Sequence, residues 1–292
     1  MNFKKIDSTD TNVSKFVFEG EDIAVEAVLY RYGSYRERTV ICCSTQCGCP
    51  VGCKFCGTGK FFVRNLTVQE IIEQTRVVLD HIDCPTSEIQ KFQIMFMSMG
   101  EPFYNYQTVS EAIQILHELM GNAQLLVSTS YPTHQLKEKY GDFIQLSQKI
   151  DKIGLQFSVH ESNDEARRKL ISKNIPSLKE LARYGETWAA RVGRKPFFNY
   201  CVHEGNSGQK NVTELRRLFN PAAWECTLSV ICEADKTMKN AIESKLELIR
   251  GFADKMTKAG YSIRVFNPAG QDDIGGGCGQ LWYFQEWRKN HV

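Results

Sequence analysis

Short apolar runs alternate along this chain with longer segments in which apolar residues recur at helical spacing. The strand-like runs are Thr39–Cys43, Lys91–Met99, Gln124–Ser128, Ile153–His160, Phe197–His203, Cys226–Cys232 and Ser262–Phe266. Between them the pattern predicts helices over Thr67–Asp80, Tyr106–Met120, Pro132–Ile150, Pro176–Arg191, Asn211–Phe219 and Lys236–Ala259. The first is the clearest, because Thr67 and Glu70 form a T-x-x-E capping box ahead of Ile71, Ile72 and Val78. Regular strand–helix alternation predicts an α/β fold with a parallel sheet, either an open doubly wound sheet or a full or partial barrel. In each of these the chemistry belongs at the carboxyl ends of the strands. The notable motifs lie there: a cysteine loop after the first core strand, Gly100-Glu101-Pro102, Ser128-Thr129-Ser130, Ser158-Val159-His160, and Cys278. Residues 1–38 read differently, as a β-hairpin extension turning near Gly20–Asp22, ahead of one core domain over residues 39–292.

Length and charge narrow the picture. A chain of 292 residues buries a full core. Lysine and arginine number 36 against 34 acidic residues, so no global positive field advertises a nucleic-acid partner. Basic stretches at Arg31–Arg38, Arg167–Lys173 and Arg191–Lys195 read as solvated surface. No apolar run reaches the length of a membrane span and no secretory leader opens the sequence, so the expected location is the cytoplasm. Six of the eleven cysteines fall between Cys42 and Cys56, which points to metal or redox chemistry rather than disulfides.

Cys49-Pro-Val-Gly-Cys53-Lys-Phe-Cys56 is a C-x3-C-x2-C arrangement in a glycine-containing loop. Three thiolates can hold three irons of a 4Fe-4S cluster and leave the fourth open to the amino and carboxylate groups of S-adenosylmethionine (SAM). The alternative is a structural zinc site with Cys42, Cys43 or Cys47 as fourth ligand. The segment CSTQCGCPVGCKFCGTGKFFVRNLTVQEIIEQ, followed in order by SMGEPFYN, LVSTS, FSVHESNDEARRKL and DDIGGGCGQL, resembles the RlmN/Cfr family of radical SAM enzymes that methylate adenosine in large-subunit ribosomal RNA. The resemblance implies a partial (βα)6 radical SAM barrel carrying the N-terminal hairpin.

It also implies roles. Cys49, Cys53 and Cys56 would hold the cluster. Cys278 would take a methyl group from one SAM. A second SAM would be cleaved to a radical that activates this methyl for addition to carbon 2 or carbon 8 of adenosine, and Cys42 would resolve the resulting thioether by forming a disulfide with Cys278. Strand alternation lets only one of Cys42 and Cys43 face the site. Gly100 and Glu101 match the motif that meets the SAM amino group, Ser128, Ser158 and His160 match positions that contact the rest of SAM, and Glu26 matches the general base. Cys47 has no implied role, and Cys84, Cys201 and Cys226 read as small apolar residues. The partners implied are ribosomal or transfer RNA and a one-electron donor such as flavodoxin, with the protein working as a monomer. Three features depart from the family pattern: the helical region before the hairpin is reduced to about twenty residues, Cys232 or Glu233 stands where relatives carry asparagine, and Asn267 and Gly270 replace arginines, leaving Arg264 as the candidate phosphate contact. Rival readings are radical methylation of a nucleotide, natural-product precursor or peptide, and a non-catalytic zinc-containing RNA-binding module.

Overall fold

The computed structural model describes residues 2–59, 61–133, 136–230, 242–266, 273–277 and 279–291. Its main sheet has ten strands in the order β1-β2-β3-β4-β7-β8-β9-β10-β11-β12. The first three, β1 (Asn2–Asp7), β2 (Val13–Gly20) and β3 (Ile23–Tyr32), are antiparallel, and β3 pairs antiparallel with β4 (Ser34–Cys43). From β4 onward the sheet is parallel through β7 (Lys91–Phe96), β8 (Gln124–Thr129), β9 (Ile153–Ser158), β10 (Phe197–Val202), β11 (Glu225–Val230) and β12 (Ile263–Phe266). Six crossovers join these seven strands, carried by α1 (Val68–Leu79), α2 (Tyr106–Leu119), α3 (Lys137–Lys149), α4 (Asp164–Leu170) with α5 (Leu178–Val192), α6 (Gln209–Leu218) and α7 (Ile242–Lys258). A two-stranded ribbon, β5 (Gln46–Gly48) with β6 (Phe62–Asn65), brackets the cysteine loop, and α8 (Trp282–His291) ends the chain.

Local sequence accounts for most of these boundaries. The Thr67–Glu70 capping box forms, and Ser177 with Glu180 builds a second one at the start of α5. Gly193, at φ 76°, closes α5 in the left-handed conformation that glycine adopts without penalty. The parallel strands are buried on both faces, as Ile153, Leu155 and Phe157 show together with Gly154 and Gln156 of β9, because helices cover one side and the barrel interior the other.

The sheet's curvature follows from one contact. Tyr30 of β3 meets Phe266 of β12 edge to face with ring centroids 5.5 Å apart, although six strands lie between them in the sheet. Val13, Val28, Tyr30, Val40 and Cys42 form an inner cluster with Met95, Met97, Phe266 and Ile274, separate from the larger core between sheet and helices. The architecture is therefore a curled, partial barrel of α/β type.

Several details depart from the sequence pattern. The N-terminal segment is three strands rather than a hairpin alone, and its pairing with β4 makes the sheet continuous across residue 38. The third helix begins at Lys137 instead of Pro132. The short α4 and the terminal α8 have no counterpart among the predicted helices. Among the described residues no helix is long and apolar enough to cross a membrane.

Candidate active site

At the end of β4 the chain enters a turn held from all sides. Gln74 of α1 accepts from the Ser44 amide at 2.8 Å and donates to the Ser44 carbonyl at 3.1 Å, while Asn105 donates to the carbonyls of Thr45 (2.9 Å) and Leu66 (2.8 Å). The cysteine loop projects beyond this clamp. Its base is closed by the Cys49 amide on the Phe61 carbonyl (2.6 Å), and further contacts tie Lys54 N–H to Leu170 and Gly57 N–H to the Gly279 carbonyl. Gly48 has φ 78°, and a Cβ there would lie 2.2 Å from the Phe61 carbonyl oxygen, so this closure requires glycine.

Cys49, Cys53 and Cys56 all open onto one cavity of about 690 Å³, mouth included, and Gly100, Glu101, Ser128, Ser158 and His160 line the same cavity. Sequence-predicted ligands and SAM contacts from three strand ends and the loop therefore share one wall. Val51, Ile171, Ile175 and Tyr104 pack behind Cys49 and Cys53. Burial, and then the neighbouring Cys56, push the Cys49 thiol up, as expected of a sulfur that keeps its charge only against a cation. The other cysteines face elsewhere. Cys43 is fully buried and shares a hydrogen bond with Thr75 of α1 (3.2 Å), and Cys47 donates to the Ala24 carbonyl (3.4 Å).

Glu101 is 3% exposed, and its carboxylate is held in a cage. Oε1 accepts from the Thr129 hydroxyl (2.6 Å) and the Phe103 amide (3.3 Å), and Oε2 from the Ser130 amide and hydroxyl (2.8 Å each). Burial outweighs these bonds and raises its pKa above the usual carboxylate value, so an anion here gains from a cation arriving in the cavity. The Glu101 amide donates to Gln46 Oε1 at 2.8 Å, and a Cβ on Gly100, whose φ is 94°, would strike Gln46 at 2.7 Å. Gly100 is thus fixed by close approach. His160 has φ 61°, sits edge-on to Phe55 at 5.2 Å, and has no partner for Nδ1 among the described residues. Burial, with Arg167 nearby, lowers its pKa to about 3, leaving a neutral ring on the cavity wall.

Arg167 corrects the surface reading of the Arg167–Lys173 run. Its side chain is fully buried and donates to the carbonyls of Ser130 (2.6 Å), Pro176 (3.1 Å) and Ser158 (3.3 Å), joining two strand ends beneath the cavity. Asn199 also lines the cavity without having been predicted. Its carbonyl accepts from the amides of Val159 and His160, and its Oδ1 accepts from Ser229 at 3.0 Å.

Cys42 faces the barrel interior, opposite to Cys43, and lines a second cavity with Val28, Tyr30, Phe266, Gly277 and Leu281. Met97, Ser98 and Gly279 line both cavities, so the two adjoin. The glycine-rich segment is pinned there by Tyr30 Oη on the Gly276 carbonyl (2.6 Å) and by Gly277 N–H on Gln280 Oε1 (2.6 Å). Cys278 itself lies outside the described residues, as do Cys232, Glu233, Asn267 and Gly270. Glu26 lines neither cavity. It shares the face of β3 that carries Val28 and Tyr30, but its carboxylate is buried in an ion pair with Lys15 (2.6 Å) and accepts from the Phe284 amide of α8 (2.8 Å). Arg264 is at the opposite end of the strands, over the Phe197 ring at 4.7 Å, and cannot serve as the phosphate contact near the cysteines.

The sequence and the overall fold are similar to those of known proteins. The chain is 32% identical over 278 residues, 93% of its length and 76% of the relative's, to a probable dual-specificity RNA methyltransferase RlmN of Dictyoglomus turgidum. The chain belongs to the RlmN/Cfr family of radical SAM methyltransferases. A second RlmN-type relative, the ribosomal RNA large subunit methyltransferase N of Nitrosopumilus maritimus, is 29% identical over 95% of this chain and 79% of its own. A solved radical SAM methyltransferase from Sphaerobacter thermophilus superposes with a TM-score of 0.76 at 28% identity, covering 95% of this chain and 79% of that one. No family model matches the chain.

Membership of the RlmN/Cfr family implies SAM and a 4Fe-4S cluster, and the residues present fit both. Among the described residues no three His, Cys, Asp or Glu side chains converge closely enough to hold a single metal ion. Cys49, Cys53 and Cys56 open from one loop onto one cavity, where three thiolates could take three corners of a cubane. Cys43 and Cys47, two of the three conceivable fourth zinc ligands, are occupied in the core. For SAM, the cavity offers a buried carboxylate for the ammonium, serine hydroxyls, and an unpartnered imidazole nitrogen.

Proposed function

We propose that the protein is a methyl synthase that installs a methyl group on carbon 2 or carbon 8 of adenosine in ribosomal or transfer RNA, using two molecules of SAM. The observation that carries this reading is the pair of adjoining cavities: the three loop cysteines and the SAM-contact residues line one, and Cys42 lines the other with the glycines that flank Cys278 in sequence. Cys49, Cys53 and Cys56 would hold the cluster, which supplies the one electron that cleaves SAM to a carbon-centred radical. Glu101 binds the SAM ammonium, and Ser128, Ser158 and His160 meet the rest of the molecule.

The two remaining thiols divide the transfer. Cys278 as thiolate displaces the methyl group of one SAM, forming a carbon–sulfur bond and releasing S-adenosylhomocysteine. The radical drawn from the second SAM would take one hydrogen atom from that methyl group; the carbon then adds to the adenine ring, and the adduct gives back the one electron that cleaved SAM and loses the ring proton. Cys42 then attacks the sulfur of Cys278, so that a disulfide forms as the carbon–sulfur bond to Cys278 breaks and the freed carbon takes up a proton. Glu26 takes the ring proton, a role that requires its carboxylate to leave the Lys15 pairing and reach along its own face of β3 into the cavity lined by Val28 and Tyr30. The protein acts as a monomer in the cytoplasm.

The test is mass analysis of a Cys42→Ala variant purified from its expression host. The expected result is an RNA fragment joined to Cys278 through one carbon, which would identify the acceptor directly. An unmodified Cys278 in protein loaded with cluster and SAM would refute the methyl-carrier mechanism.

A further inference from the structure

A third concavity opens beside the cysteine loop, lined among others by Val51, Gly52, Lys54, Arg168, Ile171 and Lys173. Val51 also lines the cavity of the three thiols, and Val51 and Ile171 pack against Cys49 and Cys53. One layer of side chains therefore separates this surface from two of the thiols. None of its lining residues is shared with the cavity of Cys42.

The rim is cationic. Lys54, Arg168, Lys169 and Lys173 are exposed, and the single lining carboxylate, Glu165, is paired with Lys169 at 2.5 Å. In a chain whose formal net charge is only +2, this is a local concentration of charge. The loop and helix that build it are locked together by Lys54 N–H on the Leu170 carbonyl (2.9 Å), so the charges are presented on a fixed frame.

We propose that this concavity is the docking face for the one-electron carrier that reduces the cluster, a protein whose redox group is ringed by acidic residues. The inference rests on the proposed assignment of the cluster to Cys49, Cys53 and Cys56. An electron needs only a short path, and Val51 and Ile171 form its partition; the carrier loses one electron, the cluster gains it, and no bond or proton changes at the face. An RNA phosphate bound here would lie on the side of the loop away from Cys42, where its contact does not bring a base to the methyl-transferring thiols. Opposite charge at the rim speeds encounter and fixes orientation in the way electron-transfer pairs require.

The experiment is the combined reversal Lys54→Glu, Arg168→Glu, Lys173→Glu, with the neutral pair Lys54→Gln, Lys173→Gln as a gentler second variant. Calorimetric titration with oxidised flavodoxin, an acidic carrier, reads docking directly and without turnover. The reversal is expected to weaken binding at least tenfold, the neutral pair by less, and raised salt to erase the difference. SAM cleavage driven by reduced flavodoxin should fall at least tenfold, while cleavage driven by dithionite stays within twofold of the parent. Unchanged flavodoxin affinity in the reversed protein overturns the proposal, and so does a loss of RNA-oligonucleotide binding with flavodoxin binding intact, which would assign the face to RNA. Absence of dithionite-driven cleavage in the parent protein would instead refute the cluster assignment, and is thereby distinguishable from a failure of docking.

Discussion

Replacing Glu101 by Gln tests the SAM site at its most constrained point. The substitution keeps shape but removes the charge and one of two acceptor oxygens from a cage of four donors. The hydroxyls of Thr129 and Ser130 can rotate and accept from the new amide group. The backbone N–H on that side, of Phe103 or Ser130, cannot, and a buried donor left without a partner costs about 1–3 kcal/mol. The SAM ammonium loses a charge-assisted bond worth about 1.5–3 kcal/mol, which is roughly a 10- to 150-fold rise in Kd. Titration calorimetry with SAM on cluster-loaded protein measures the second effect, and urea unfolding the first. The pH dependence has a definite sign. Because the folded-state pKa of Glu101 is raised, its ionisation opposes folding, so the SAM-free protein gains stability from this group as pH falls through that raised value and loses it as pH rises. Bound ammonium lowers the pKa, so SAM binding should release a proton in that window, and Glu101→Gln should abolish the release. A Gln variant that binds SAM as tightly as the parent, with the same proton release, would refute the assignment of Glu101 as the ammonium's partner.

Three further outcomes follow from the packing. Glu26→Gln leaves Lys15, whose side chain is 1% exposed, without its counter-ion; we expect a loss of about 3–5 kcal/mol in urea unfolding, partly restored by adding Lys15→Met, together with accumulation of the Cys278 adduct despite an intact Cys42. Cys42→Ala should abolish product formation, whereas Cys43→Ala, which removes a sulfur facing α1 and bonded to Thr75, should cost about 1 kcal/mol in stability and leave methylation of RNA measurable at the parent rate. Gly100→Ala forces a side chain into φ 94° against Gln46; about 1–3 kcal/mol of strain is expected, with SAM affinity lost in parallel because the Glu101 amide is displaced from Gln46.

What could be read from the sequence divides along physical lines. The parallel strands were legible because each is a short apolar run bounded by polar helices, and α1 because its capping box is a local device. The seven-residue α4 is too short to show a period, and α8 begins with aromatic residues that do not form a clean stripe. Curvature was not legible in the periodicity, which left open sheet and barrel alike; the family resemblance pointed to the partial barrel, and the structure shows it in the meeting of Tyr30 with Phe266, residues distant in both chain and sheet. The site shows the same division. Alternation alone required Cys42 and Cys43 to face opposite ways, but not which one faces in; the thiol bonded to Thr75 on the helical side identifies Cys43 as the core residue.

Arg167 shows most sharply where a one-dimensional reading stops. In the run Ala166-Arg167-Arg168-Lys169 every cation looks alike, and two of the three are indeed exposed. The first turns inward from α4 and donates to the carbonyls of Ser130 and Ser158 at the ends of β8 and β9. Burial lowers its pKa only to about 10, so it stays charged and places a fixed positive potential behind the cavity that holds Cys53 and Glu101. Its charge is coupled through space to Cys53 and to Glu101, both on the wall of that cavity. One buried guanidinium thus faces both parts of the proposed site, the cysteine loop through Cys53 and the strand ends through Glu101, while its two exposed neighbours form part of the rim proposed to receive the electron carrier.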